Sequence, residues 1–82
     1  MSYVSLWSVG SRVRAALTVT LVAETENALQ FEVADNTKMK LWFPRKAISV
    51  YGGEGQYKIA HWFSFNAFQR SAFDRYASHY KA

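Results

Sequence analysis

The chain contains no cysteine. That excludes a disulfide framework and a thiolate metal site. It also fits a reducing compartment, so a cytoplasmic location is the expectation. One proline and four glycines in 82 residues leave no linker, repeat or low-complexity stretch. Acidic residues are scarce: Glu24, Glu26, Glu32, Asp35, Glu54 and Asp74 are all there are. All but Glu32 and Asp74 fall in predicted turns, so a general acid/base pair facing a cleft is not expected. The two histidines, His61 and His79, have no neighbour at metal-ligand spacing. No serine or lysine has a recognisable partner for nucleophilic chemistry. Gly52-Gly53-Glu54-Gly55 precedes a predicted strand and lacks the Lys-Ser/Thr of a phosphate loop. The expectation is a binding protein rather than an enzyme, with no cofactor and no metal.

Long apolar runs are missing too. The best candidate is the stretch 15–23 after Arg12 and Arg14, which has the outline of a secretory signal. It is far shorter than the roughly 20 residues of a membrane span, so no membrane partner is expected. It also alternates with threonine at a period of two, and therefore reads as a strand.

What the chain has in quantity is apolar and aromatic material. Half of it is hydrophobic and 17% is aromatic, which is too much for a disordered segment. Its length is that of one domain, taken as 1–82. A domain of this size buries only about 60% of its unfolded surface, so its core is small.

The patterning predicts an α+β protein. The stretch 12–23 sends Val13, Ala15, Leu17, Val19 and Leu21 inward. A polar turn at 24–27 leads to a second strand with Leu29, Phe31 and Val33 inward. A tight connection at 35–37 follows, because Asp and Asn tolerate turn conformations. The third strand turns Met39, Leu41 and Phe43 inward, with Lys38, Lys40 and Trp42 outward, and Pro44 ends it by withholding a ladder donor. A fourth strand is predicted at 47–51, a glycine turn at 52–55 and a fifth strand at 57–61. These five make an antiparallel meander or partly open barrel over 12–62. The first eleven residues find no place in it.

The period then changes to that of a helix over 64–80. Phe65, Phe68, Gln69, Ala72, Phe73, Tyr76 and Tyr80 share one face. Ser64 is the expected N-cap, with Phe63 and Phe68 as a hydrophobic staple. Phe68, Ala72 and Tyr76 are expected to pack on the sheet.

With net charge +4 the chain is mildly basic, and the placement of charge says more than its sum. Strand parity collects Arg12, Arg14, Lys38, Lys40 and Lys58 outward with Trp42 and Trp62, and Arg45 and Lys46 follow at a strand end. Cations that track phosphates beside rings on which bases stack are what single-stranded nucleic acid requires. These nine residues are the candidate nucleic-acid-binding set. Two alternatives remain open. Trp42 and Trp62 could be the surface that the helix covers, leaving the lysines as a solvated rim. Exposed aromatics could instead serve as hot spots toward a host protein complex, as in an inhibitor or subunit.

The segment Leu41-Trp42-Phe43-Pro44-Arg45-Lys46-Ala47-Ile48 resembles small uncharacterised proteins of phages and other mobile elements. These carry a tryptophan, an aliphatic residue, a proline and a basic residue, then an isoleucine, at a strand end. A second tryptophan past a turn is similar to that of Ala60-His61-Trp62-Phe63. The resemblance spans residues 13–63. The chain departs from it at Phe43, where Ile or Leu is usual, and in its aromatic C-terminal helix. No activity comes with the resemblance. It implies a mobile-element origin, in which replication, recombination or counter-defence would be the expected setting.

Overall fold

The computed structural model describes residues 3–81. Its strands are β1 (Val4–Val9), β2 (Val13–Glu24), β3 (Ala28–Val33), β4 (Asn36–Pro44), β5 (Ile48–Val50), β6 (Gln56–Ile59) and β7 (Ser78–Lys81). One helix, α1 (Ala67–Tyr76), and a 3-10 turn (Arg45–Ala47) complete the structure. All seven strands belong to one sheet in the order β4-β3-β2-β1-β6-β5, with β7 paired to β2. β1 and β6 run parallel while the other pairs are antiparallel, so the sheet is mixed, and it does not close on itself. The α+β class stands. The five-stranded antiparallel meander does not, because it lacked β1 and β7 and the parallel pair that β1 makes.

β1 lies inside the sheet, between β2 and β6, and Leu6 is fully buried there. β2 explains how one sheet accommodates seven strands. At 12 residues it is the longest strand. That is long enough for two strands to share its far edge. β3 pairs with its residues 19–24 and β7 with residues 13–16.

The inward set of β2 is confirmed at Ala15, Leu17 and Val19, which are buried, whereas Val13 and Leu21 at either end are exposed. A register shift between Leu21 and Ala23 inserts one extra residue and brings Glu24 opposite Leu29. Such a bulge re-aims the side chains beyond it. Inward parity holds on β3 and β4, where Phe31, Val33, Leu41 and Phe43 are buried, and β4 ends at Pro44. The predicted fourth strand starts instead as the 3-10 turn, leaving three residues in β5. Glycine is required in the turn that follows, since Gly52 and Gly55 take φ of 74° and 75°.

The core centres on Phe43, whose ring lies 6.1 Å from Phe31, 5.6 Å from Phe63 and 6.4 Å from Phe65. Phe65 in turn lies 5.1 Å from Phe73 of the helix.

The helix is shorter than expected and starts later. Asn66, not Ser64, is its N-cap. The Asn66 Oδ1 accepts from the Gln69 amide at 2.8 Å, and the Gln69 Oε1 accepts from the Asn66 amide at 2.8 Å. This reciprocal arrangement satisfies two backbone donors that a helix start otherwise leaves unpaired. The buried stripe is Gln69, Ala72 and Phe73, with Tyr76 half-buried. Phe68 sits about 100° around the helix from Gln69. It is 72% exposed, which corrects its expected place in the core and removes the staple with Phe63. Tyr80 is not helical at all: the helix stops at Tyr76, and Tyr80 lies in β7.

Gln69 is the polar member of an otherwise apolar stripe. Its Nε2 donates to the Trp42 carbonyl at 2.6 Å, occupying an acceptor on the unpaired edge of β4. Gln69→Leu keeps the volume but loses the side-chain half of the cap and this bond, while the residue-69 amide still reaches Asn66. It is expected to destabilise by about 1–3 kcal/mol, the usual cost of an unsatisfied buried acceptor. Urea denaturation checks this, and an unchanged midpoint would show that the edge contact carries no energy.

Candidate nucleic-acid interface

Sheet register determines which outward side chains meet. On the face opposite the core, β7, β2, β1, β6 and β5 bring three rows together. The first is Tyr80–Arg14–Val9, the second Ser78–Ala16–Trp7–Lys58–Ser49, and the third Thr18–Ser5–Gln56, beside which Tyr51 donates its amide to the Gln56 carbonyl. No aspartate or glutamate stands in these rows. Small residues, Ala16, Ser78, Ser5 and Thr18, stand on the β2 side and along the strand, so the Trp7 ring meets larger neighbours from the flanking strands.

Trp7 is the hub. Its ring centroid lies 5.6 Å from that of Tyr80 and 6.0 Å from that of Tyr51. Its indole N–H donates to Gln56 Oε1 at 2.6 Å, which fixes the ring. The Arg14 guanidinium lies 5.5 Å from the Trp7 centroid, and the Lys58 ammonium lies 5.6 Å from the Tyr51 centroid. Both distances are within the range of cation–π attraction. A depression beside this cluster is lined by Val9, Ser49, Lys58, His61 and Trp62, carrying the surface on to the second tryptophan. Trp62 is 54% exposed and meets Phe63 edge-on, and Tyr80 is 48% exposed. The arrangement thus pairs a fixed central ring with accessible outer rings and two cations.

The nine candidate residues do not form one surface. Arg14 and Lys58 flank Trp7, and Trp62 borders the depression that Lys58 also lines. Arg12 lies in the β1–β2 turn rather than on a strand, and it is exposed. Lys38, Lys40 and Trp42 share the outward face of β4, as their parity required, but a carboxylate lies among them: Glu32 is 3.7 Å from the Lys40 ammonium. Lys38 and Lys40 also flank the exposed ring of Phe68.

Arg45 is committed elsewhere. Its Nη2 donates to Glu24 Oε2 at 3.1 Å and to the Thr25 carbonyl at 2.7 Å, and its Nε donates to the Glu26 carbonyl at 3.2 Å. It clamps the β2–β3 turn, with Lys46 exposed beside it. Trp42 is 46% exposed, so the helix covers neither it nor Trp62, and the reading of both as core is corrected.

Sequence reasoning missed Trp7, Tyr51 and Tyr80. An outward-parity tryptophan next to Leu6 was the available signal for the first. Tyr80 was hidden by its helical spacing from Tyr76.

The described residues contain no cluster of three His, Asp or Glu side chains able to hold a metal ion. No described helix is long and apolar enough to cross a membrane. Compared with known protein families, curated proteins and solved structures, the chain matches none of them.

Proposed function

We propose that this protein is a non-enzymatic binding module for single-stranded nucleic acid. The ligand lies on the outward face of β7, β2, β1, β6 and β5. The observation that carries this reading is the cluster of Trp7, Tyr51 and Tyr80 with Arg14 and Lys58, in register rows that hold no carboxylate. Bases stack on Tyr80 and Trp62 while the two cations neutralise phosphates, and the small residues between them let a strand approach the sheet. The β4 surface fits less well, since Glu32 repels phosphates next to Lys40. The resemblance of residues 41–48 to mobile-element proteins would make such a module an accessory factor of phage replication, recombination or counter-defence.

A titration of fluorescein-labelled oligothymidylate and of a matched duplex, at several salt concentrations, tests the reading. Affinity for the single strand is expected to exceed that for the duplex and to fall with salt. The logarithmic slope should be about −0.7 for each phosphate neutralised. The absence of binding at low salt would end this reading and turn attention to a protein partner.

A further inference from the structure

Resting on the single-strand reading, we infer that Arg14 is the anchor for an internal phosphodiester, and that Tyr80 covers it until the strand binds. Arg14 differs from every other cation placed above. Its Nε is buried and has no hydrogen-bond partner among the described residues. A buried guanidinium donor left unpaired is costly, and such groups in folded proteins call for a physical reason. The guanidinium carbon lies over the Trp7 ring, 5.5 Å from its centroid, and Tyr80 stands directly opposite Arg14 in the β2–β7 ladder. No ion pair between described residues involves Arg14, whereas Lys40 has Glu32 and Arg45 has Glu24.

The geometry selects the ligand. Arg14 offers Nε–H and a neighbouring Nη–H along one edge, a fork that matches two oxygens of one tetrahedral or planar anion. The cation–π contact with Trp7 restrains the side chain before any ligand arrives, so less orientation entropy remains to be lost. Reaching Nε requires a flanking ring to move. Trp7 is fixed by its bond to Gln56, whereas Tyr80 sits on a four-residue strand that is exposed throughout. Moving the Tyr80 ring outward opens Nε to a phosphate and presents the ring to the adjoining base. Ring and cation therefore act on consecutive parts of one nucleotide, and a single-stranded phosphodiester satisfies both. An acidic peptide would satisfy only the cation.

The test uses the full chain with the arginine side chains labelled with 15N, following the Arg14 Nε–H signal. Unphosphorylated oligothymidylate is expected to move that signal downfield. Inorganic phosphate and a heptaglutamate peptide at the same concentration should leave it in place. A response to inorganic phosphate as strong as to the oligonucleotide would overturn the proposal in favour of a phosphomonoester site. A response to the peptide alone would overturn it in favour of a carboxylate partner.

Arg14→Lys keeps the charge and loses the fork. It is expected to bind oligothymidylate about tenfold more weakly with a nearly unchanged salt slope. Arg14→Gln should in addition lower the slope magnitude by about 0.7. Lys38→Gln, on the β4 face, is the control and should change neither. Binding by Arg14→Lys equal to wild type, with the Nε signal unmoved, would overturn the anchor while leaving the single-strand reading intact. A wild-type protein that binds no oligonucleotide would overturn both.

Discussion

Phe43→Ala is expected to destabilise the protein by about 3–5 kcal/mol, enough to abolish the folded state in so small a domain. Phe43 is 1% exposed, and its ring meets Phe31 of β3 and both Phe63 and Phe65 of the segment leading into the helix. Those contacts join sheet to helix, since Phe65 continues to Phe73. Removing the ring leaves a cavity that rigid strands on one side cannot collapse to fill. Phe68→Ala provides the contrast. Sequence patterning sends both phenylalanines to the core, Phe43 by strand parity and Phe68 by helical spacing, yet Phe68 is 72% exposed, so its removal should stay within about 0.5 kcal/mol. Urea midpoints for the two variants decide the matter. A large loss at Phe68, or a small one at Phe43, would contradict the helix placement described above.

The second large effect concerns binding. Tyr80→Ala is expected to weaken affinity for oligothymidylate by roughly 5- to 150-fold, because a base–ring stack contributes about 1–3 kcal/mol. The loss should be almost independent of salt, unlike the removal of a cation. Tyr80→Phe retains the ring and should bind nearly as wild type does. Trp42→Ala removes a ring of similar exposure, 46% against 48%, but from the β4 face beside Glu32 and Lys40. It should leave affinity unchanged. An anisotropy titration of the three variants separates the two faces, and equal losses at Tyr80 and Trp42 would mean that the surface has been assigned too narrowly.

Much of the fold was legible wherever one side of an element is buried and the other solvated. β3 and β4 alternate cleanly for that reason, and Pro44 marks the end of β4 where a missing donor matters. β1 was not legible, because Leu6 faces the core while Trp7 faces the aromatic cluster, so large apolar groups occur on both sides. Its parallel pairing with β6 joins segments about fifty residues apart and leaves no local trace. β7 has no buried side chain and is held by its ladder with β2, so its four residues carry no apolar period. Tyr76 and Tyr80 then mimic a continuing helix. The true helix start did have a signal, the reciprocal cap of Asn66 and Gln69, but the apolar face centred on Phe68 outweighed it.

The site was half legible for the same reason. Parity identified Arg14, Lys58 and Trp62 as outward-facing. Grouping them with Lys38, Lys40 and Trp42 assumed a five-stranded meander or partly open barrel, in which β4 would pair onward to β5 and lie near the others. With β1 inserted between β2 and β6, the two sets fall on separate parts of the sheet. Arg45 was misread because a strand-end arginine looks the same in sequence whether it meets a phosphate or, as here, the carbonyls of Thr25 and Glu26.

The most direct test of the central claim is an amide chemical-shift map of the 15N-labelled protein with increasing oligothymidylate. Shifts are expected to concentrate in Val4–Val9, residues 13–18, Gln56–Ile59 and Ser78–Lys81, which border the Trp7 cluster. Amides 38–42 of β4 should stay in place. Shifts confined to β4 and the neighbourhood of Phe68, with the Trp7 strands unmoved, would contradict the account.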